Sequence, residues 1–248
     1  MSSNPAEVTP FFDRGALLAR AEPLRARFLA ADPFPHAVLD DFLPGPVAER
    51  VAHEFPPPDL PGWKRIDHAE QAGRLGHLQR RGFEGAAPFI RHILSELNGQ
   101  AMIDFLERLT GILGLIPDPH FRGAGAHHTL PGGHLALHAD HNRDRFRQLE
   151  RRLTAIVYFN QDWQDDWAGH LELWPPDLSR CAARIAPSFN RCVVMLHRSD
   201  AWHGYPAPLR CPPDRTRRAL LAYYYTVDRP TEERRPPHPA IWVEPRTQ

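Results

Sequence analysis

Between Phe121 and Val227 the chain divides into eight short extended runs, at residues 121–130, 133–140, 152–160, 169–174, 181–186, 191–197, 201–205 and 217–227, separated by Gly, Pro, Asn and Asp. Runs this short and this regularly punctuated exclude long helices, and eight of them is the strand count of a double-sheet jelly roll. The 27 prolines act in the same direction, since each interrupts a helix or an inner strand. The third run, Leu153 to Phe159, is apolar on both faces. It therefore reads as a central strand covered on both sides, beside the strand that carries His138 and Asp140.

The residues ahead of these runs carry helical periodicity. Leu17, Leu18, Leu24 and Phe28 mark a surface helix within residues 1 to 32, and Pro33 to Leu43 reads as a short strand. Val47, Val51 and Phe55 mark a second helix between Pro46 and the Pro56-Pro57-Pro58 stop. Residues 59 to 85, with His68, Arg74, His77, Arg80 and Arg81, are polar, weakly patterned and expected to form a loop bordering the substrate entrance. The apolar stripes Phe89, Ile90, Ile93, Leu94, Leu97 and Met102, Phe105, Leu106, Leu109, Leu113 then predict two helices broken at Asn98-Gly99. The expected fold is mainly β with flanking helices (α+β), a jelly-roll core with the N-terminal helices packed on one sheet. We expect a single domain over 1–248, with a support region at 1–116, a catalytic core at 117–228 and a Pro-rich C-terminal tail at 229–248.

Lys plus Arg equals Asp plus Glu at 30 each, so no global field argues for a nucleic acid or an anionic membrane as partner. Three cysteines without CxxC spacing argue against a disulfide framework or a thiolate zinc site and fit a reducing cytoplasm. There is no signal-peptide pattern and no apolar run of membrane-spanning length. Oligomeric state is left open.

Chemistry concentrates in the segment His134-Leu-Ala-Leu-His138-Ala-Asp140-His141-Asn142. If it is extended, His134, Ala136, His138 and Asp140 share one face and Leu135, Leu137 and Ala139 the other. An imidazole and a carboxylate two residues apart on a strand can ligate one metal ion, and a third imidazole completes a facial triad with three open positions. His203 is the candidate, 65 residues after His138 (203 − 138), far enough for the chain to cross both sheets and return to a neighbouring strand. Fourteen residues further (217 − 203), Arg217 opens the last apolar run, where a buried guanidinium requires an anionic partner. The charged connection 142–151 leaves the sheet just past Asp140 as a solvated or gating loop.

The ordered set His138-x-Asp140, His203 and Arg217 resembles the Fe(II)- and 2-oxoglutarate-dependent oxygenases, specifically their prolyl 4-hydroxylase-like branch. Phe34 to Phe42, Gly132 to Asn142, Arg152 with Tyr158-Phe-Asn160, Gly169 to Trp174, Phe189-Asn190 and His203-Gly extend the resemblance over residues 34 to 228. It implies a double-stranded β-helix core and a dioxygenase using Fe(II), 2-oxoglutarate and O2. Such an enzyme hydroxylates an unactivated carbon of a small metabolite or of a peptidyl residue such as a prolyl one, and releases succinate and CO2. It implies His138, Asp140 and His203 as iron ligands and Arg217 as the 2-oxoglutarate anchor, with Thr129 and Tyr158 beside it and His127, His134 and Asn142 toward the substrate. His128 shares the strand of His127 and is weighed with it. Two departures thin the co-substrate contacts: Thr129 stands where the branch usually has a tyrosine, and Ala219 where a small polar residue is common. The alternatives are a non-oxidative cupin-like metalloenzyme such as an isomerase, or a metal-stabilised binding module. Only the oxygenase needs an anion anchor such as Arg217 beside the metal.

Overall fold

Alternation of side chains builds the sheet. The strand Leu149–Tyr158 sends Leu153, Ala155 and Val157 into one apolar cluster and Ile156 and Tyr158 into another. A computed structural model of the protein describes residues 11–76 and 88–244. In chain order its elements are α1 (Arg14–Ala30), β1 (His36–Leu39), α2 (Gly45–Glu54), β2 (Lys64–His68), β3 (Gln71–Gly76), α3 (Pro88–Leu97) and α4 (Gln100–Thr110). They continue with β4 (Ile116–Pro117), β5 (Gly125–Ala139), β6 (Arg143–Asp144), β7 (Leu149–Tyr158), β8 (Leu171–Trp174) and β9 (Ala183–Ile185). Last come β10 (Cys192–Leu196), β11 (Trp202–Tyr205), β12 (Arg217–Thr226) and β13 (Ile241–Trp242).

The strands pair antiparallel in one curled sheet of order β1-β10-β7-β12-β5-β11-β8-β9, in keeping with the jelly roll expected from the run pattern and the double-stranded β-helix implied by the resemblance. The larger cluster lies between the helices and one face, where Phe28, Ile90, Ile93, Phe105 and Leu106 meet Leu153, Val157, Val194 and Leu220. Each of these side chains is at most 1 % exposed. Burial on that scale contributes roughly 1.5–3 kcal/mol per large apolar residue, which ties the helices to the sheet. The smaller cluster, including Ile156, Leu171, Leu173, Val193, Met195 and Ala219, lines the interior of the curl.

Three features differ from the sequence expectation. β7 is central, but its neighbours are β10 and β12, and β12 separates it from β5. An apolar run identifies a central strand without identifying its partners. Residues 64–76 form the β2–β3 hairpin, and β3 also pairs with β5. This ribbon is specified by main-chain hydrogen bonds with β2 almost fully exposed, so it leaves no hydrophobic alternation to read. His77, Arg80 and Arg81 lie outside the described residues. Finally, α4 ends at Thr110 with Gly111 as its C-cap, so Leu113 lies beyond the helix and is exposed. No helix among the described residues is long and apolar enough to cross a membrane.

Candidate metal and anion site

Pairing of β11 with β5 brings His203 directly opposite His138. Between this pair and the next, Tyr205 opposite Leu135, β5 uses three residues where β11 uses two, so a bulge interrupts the alternation. Leu135 and His138 therefore both line the interior cavity, while His134 leaves it and its Nε2 meets the Ala69 carbonyl at 3.2 Å. The shared face expected for His134, Ala136, His138 and Asp140 is broken at this point. Gly204 permits the close approach: a Cβ there would lie 2.6 Å from the Ala136 carbonyl oxygen.

His138, Asp140 and His203 each offer one ligand atom within 4.8 Å of the other two. Each histidine donates its Nδ1–H to the carbonyl two residues earlier, His138 to Ala136 and His203 to Ala201, both at 3.0 Å. Because a carbonyl can only accept, the neutral form of each imidazole presents an unprotonated Nε2 to the site, the tautomer a metal requires. Those Nε2 atoms lie 3.5 and 3.6 Å from the two Asp140 oxygens. Burial and the neighbouring His203 lower the pKa of His138, which keeps its lone pair available. Burial alone would raise the Asp140 carboxyl, but Arg151 and histidines 138, 197 and 203 hold it well below the usual range.

Two of those neighbours were missed from sequence. Arg151 Nη2 donates to Asp140 at 2.9 Å and to Thr154 at 3.1 Å, and its guanidinium stacks 3.5 Å from the Tyr223 ring centroid. A register shift between β12 and β7 turns Arg151 inward, while Arg152, quoted in the resemblance, pairs with Glu233 at 3.0 Å. His197 lies 3.3 Å from Asp140 Oδ2, and its pKa is lowered to about 3 by burial and by Arg151. Its inward position was readable, since it continues the Val193, Met195 face of β10.

Arg217 lies in the wall of the same cavity, of about 210 Å³. Arg217 is 6 % exposed. Its Nε donates to the Gly169 carbonyl at 2.7 Å and its Nη2 to the Tyr158 hydroxyl at 3.1 Å. Among the described residues no carboxylate pairs with it. Arg218 points the other way, donating to the Ala52 carbonyl at 2.9 Å and facing the Phe55 ring. Gly169 has φ +75°, and a Cβ there would lie 3.2 Å from Arg217 Cδ, so glycine is needed where the carbonyl turns toward the guanidinium. Burial raises the Tyr158 phenol against the opposing charge of Arg217, which leaves it neutral. Tyr205, two residues after His203 and on the same strand face, stacks 4.2 Å from Arg217 and bonds Thr129 Oγ1 through its hydroxyl at 2.8 Å. A phenol from β11 thus stands beside Thr129, the position where the sequence lacks a tyrosine.

Of the other expected site residues, His127 lines the cavity. His128 faces away and contacts the Pro56 carbonyl and Thr216. Asn142 is engaged with the C-terminal segment, donating to the Pro236 carbonyl and accepting from the His238 amide, both at 2.9 Å. The 142–151 connection is the tight β6–β7 turn. Past residue 228 the chain returns as β13, and Trp242 pairs with His138 with ring centroids 4.9 Å apart. Nothing in a Pro-rich tail announces this contact.

The donor set fits Fe(II), an ion that accepts two neutral imidazoles and one carboxylate with positions to spare. A buried guanidinium without a carboxylate partner among the described residues fits the distal carboxylate of 2-oxoglutarate.

Residues 124–225 match the family described as the 2OG-Fe(II) oxygenase superfamily. The fold resembles that of a Trichoplax adhaerens prolyl hydroxylase solved with a hypoxia-inducible factor peptide (TM-score 0.58, 17 % identity, covering 86 % of this chain and 92 % of that one). It also resembles a Pseudomonas putida prolyl-4-hydroxylase (TM-score 0.55, 20 % identity, covering 85 % and 99 %). A prolyl 4-hydroxylase from Phytophthora capsici is similar as well (TM-score 0.53, 15 % identity, covering 90 % and 68 %). A sequence search of curated proteins gives no match.

Proposed function

We propose that this chain is a 2OG-Fe(II) oxygenase of the prolyl 4-hydroxylase-like kind that hydroxylates a carbon of a small molecule or a peptidyl residue; the match of residues 124–225 to that superfamily and the fold shared with two prolyl hydroxylases support the reading. Fe(II) with 2-oxoglutarate and O2 supplies the oxidising chemistry: the keto acid is decarboxylated to succinate and CO2 while one oxygen atom enters a substrate C–H bond. His138, Asp140 and His203 hold the metal through the two Nε2 atoms and the carboxylate. Arg217 holds the distal carboxylate of 2-oxoglutarate, with Tyr158, Tyr205 and Thr129 ordering the guanidinium and its surroundings. Arg151 and His197 keep the Asp140 carboxylate ionised and oriented. Apolar walls from Leu135, Ile156, Leu171 and Leu221 exclude water. His127 and Trp242 border the space left for substrate.

The observation that carries this reading is the presence, in one cavity, of the His-Asp-His set and a buried arginine without a carboxylate partner among the described residues. An isomerase or a metal-stabilised binding module does not require that arginine. Reconstitution tests it: Fe(II) protein with 2-oxoglutarate should form succinate only in the presence of O2, while Zn(II) occupies the site and gives none, having no accessible redox change. Full activity with Zn(II) in the absence of O2 would favour the isomerase. Tyr205→Phe should raise the 2-oxoglutarate concentration needed for half-maximal succinate formation. The lost hydrogen bond contributes about 0.5–1.5 kcal/mol, a factor of roughly 2 to 12. An unchanged requirement would remove Tyr205 from the co-substrate pocket.

A further inference from the structure

The cavity wall carries three guanidinium groups, Arg74, Arg151 and Arg217, and one carboxylate, Asp140. Among the described residues the excess is therefore two positive charges (3 − 1). Fe(II) and 2-oxoglutarate bring equal and opposite charges, so loading the site leaves that excess in place. Arg151 is paired with Asp140, and Arg217 faces the co-substrate pocket. Arg74 remains.

Arg74 has no carboxylate partner among the described residues. Its Nη1 donates to the Gln71 side chain, its Nη2 meets His127 Nδ1 at 3.3 Å, and its Nε is buried without a hydrogen-bond partner. His127 Nε2 faces the Ala124 carbonyl at 3.2 Å, and an imidazole in either protonation state supplies no negative countercharge to Arg74. Thr129 of β5 stands opposite Arg74 of β3 on one side and Arg217 of β12 on the other, yet the two guanidinium groups contact different walls. Arg217 lies over Tyr158 and Tyr205. Arg74 reaches His127, and with Arg151 its charge acts on the Tyr223 phenol, which burial otherwise raises. Arg74 thus contacts Gln71 and His127, whereas Arg217 contacts Gly169, Tyr158 and Tyr205. A buried N–H donor without an acceptor and a charge without a countercharge are each costly, and one anionic ligand oxygen relieves both.

We propose that Arg74 recognises an anionic group, a carboxylate or a phosphate, on a small substrate that enters this cavity. The proposal rests on the oxygenase reading and deepens it: the substrate is a small acid rather than an uncharged interior residue of a peptide. With 2-oxoglutarate seated, a cavity of about 210 Å³ leaves room for only a small moiety.

The test uses the full chain loaded with Mn(II), held below the protein concentration, and saturating 2-oxoglutarate. Mn(II)-dependent 2-oxoglutarate binding is measured first, by calorimetry. Its absence sinks the oxygenase reading and this proposal together. With binding established, inorganic phosphate and 13C-labelled acetate are titrated, and paramagnetic broadening of their 31P and 13C resonances reports an anion near the metal. Saturable broadening should weaken at least tenfold in Arg74→Gln and recover in large part in Arg74→Lys, with 2-oxoglutarate affinity within about twofold. Broadening of phosphate alone, of acetate alone or of both identifies the anionic group. Broadening of neither probe, or broadening unchanged in Arg74→Gln, overturns the proposal while leaving the oxygenase reading intact. A loss of 2-oxoglutarate affinity in Arg74→Gln with anion broadening retained also overturns it, by assigning Arg74 to the co-substrate.

Discussion

Asp140→Ala is expected to abolish succinate formation and to weaken Fe(II) binding severely, because it removes the only carboxylate that the described residues place in the cavity wall. A second loss accompanies the first. Arg151, whose side chain is 1 % exposed, would keep its buried charge without the 2.9 Å partner it now has, a change on the order of 3 kcal/mol in stability. Asp140→Ala should therefore melt at a lower temperature than the wild type even without metal, which a thermal scan of the apoproteins checks. His138→Ala and His203→Ala should lose turnover in the same way without leaving Arg151 unpaired, so their apoproteins should be less affected. If Asp140→Ala retains near-normal succinate formation, the ligand assignment fails and neighbouring histidines such as His141 must be reconsidered.

Arg217→Ala should raise the 2-oxoglutarate requirement steeply. Truncating one partner of a buried, hydrogen-bonded charge pair costs about 2 to 5 kcal/mol, roughly 30-fold or more in apparent affinity. Arg218→Ala should change it little, since that side chain points away from the cavity toward the Ala52 carbonyl. Ala219 lies on the inward face beside Arg217, and Ala219→Ser should tighten 2-oxoglutarate modestly by adding one donor. Apparent 2-oxoglutarate constants for the three variants under saturating Fe(II) decide the matter. An impaired Arg218→Ala with a normal Arg217→Ala would reject the anchor.

The strands of the core were legible because period-two alternation and turn residues are local properties of sequence, whereas His138, Asp140, His203 and Arg217, which line one cavity, were singled out together by the family resemblance. What sequence could not supply depends on pairing. The bulge opposite Gly204, which admits Leu135 to the cavity and turns His134 out of it, exists only once β11 lies against β5. The inward turn of Arg151 in place of Arg152 depends in the same way on the irregular β7–β12 register. The β2–β3 ribbon, which carries Arg74, is held by main-chain pairing with little burial and shows no hydrophobic signature. Trp242 reaches His138 from a tail whose composition suggests only a linker. His197 and Tyr205 are different, because both continue an inward face already marked by Met195 and His203 and could have been assigned by extending the alternation.

If His138, Asp140 and His203 hold Fe(II) and Arg217 holds the distal carboxylate of 2-oxoglutarate, both ligands bind in one cavity. The direct measurement is the visible absorption of the anaerobic protein titrated with Fe(II) and then with 2-oxoglutarate. A weak metal-to-ligand charge-transfer band should appear only when both are present, vanish in Asp140→Ala, and require far more 2-oxoglutarate in Arg217→Ala. Binding of both components to the wild type without any such band would contradict chelation at this site, and with it the shared role of the three ligands and Arg217.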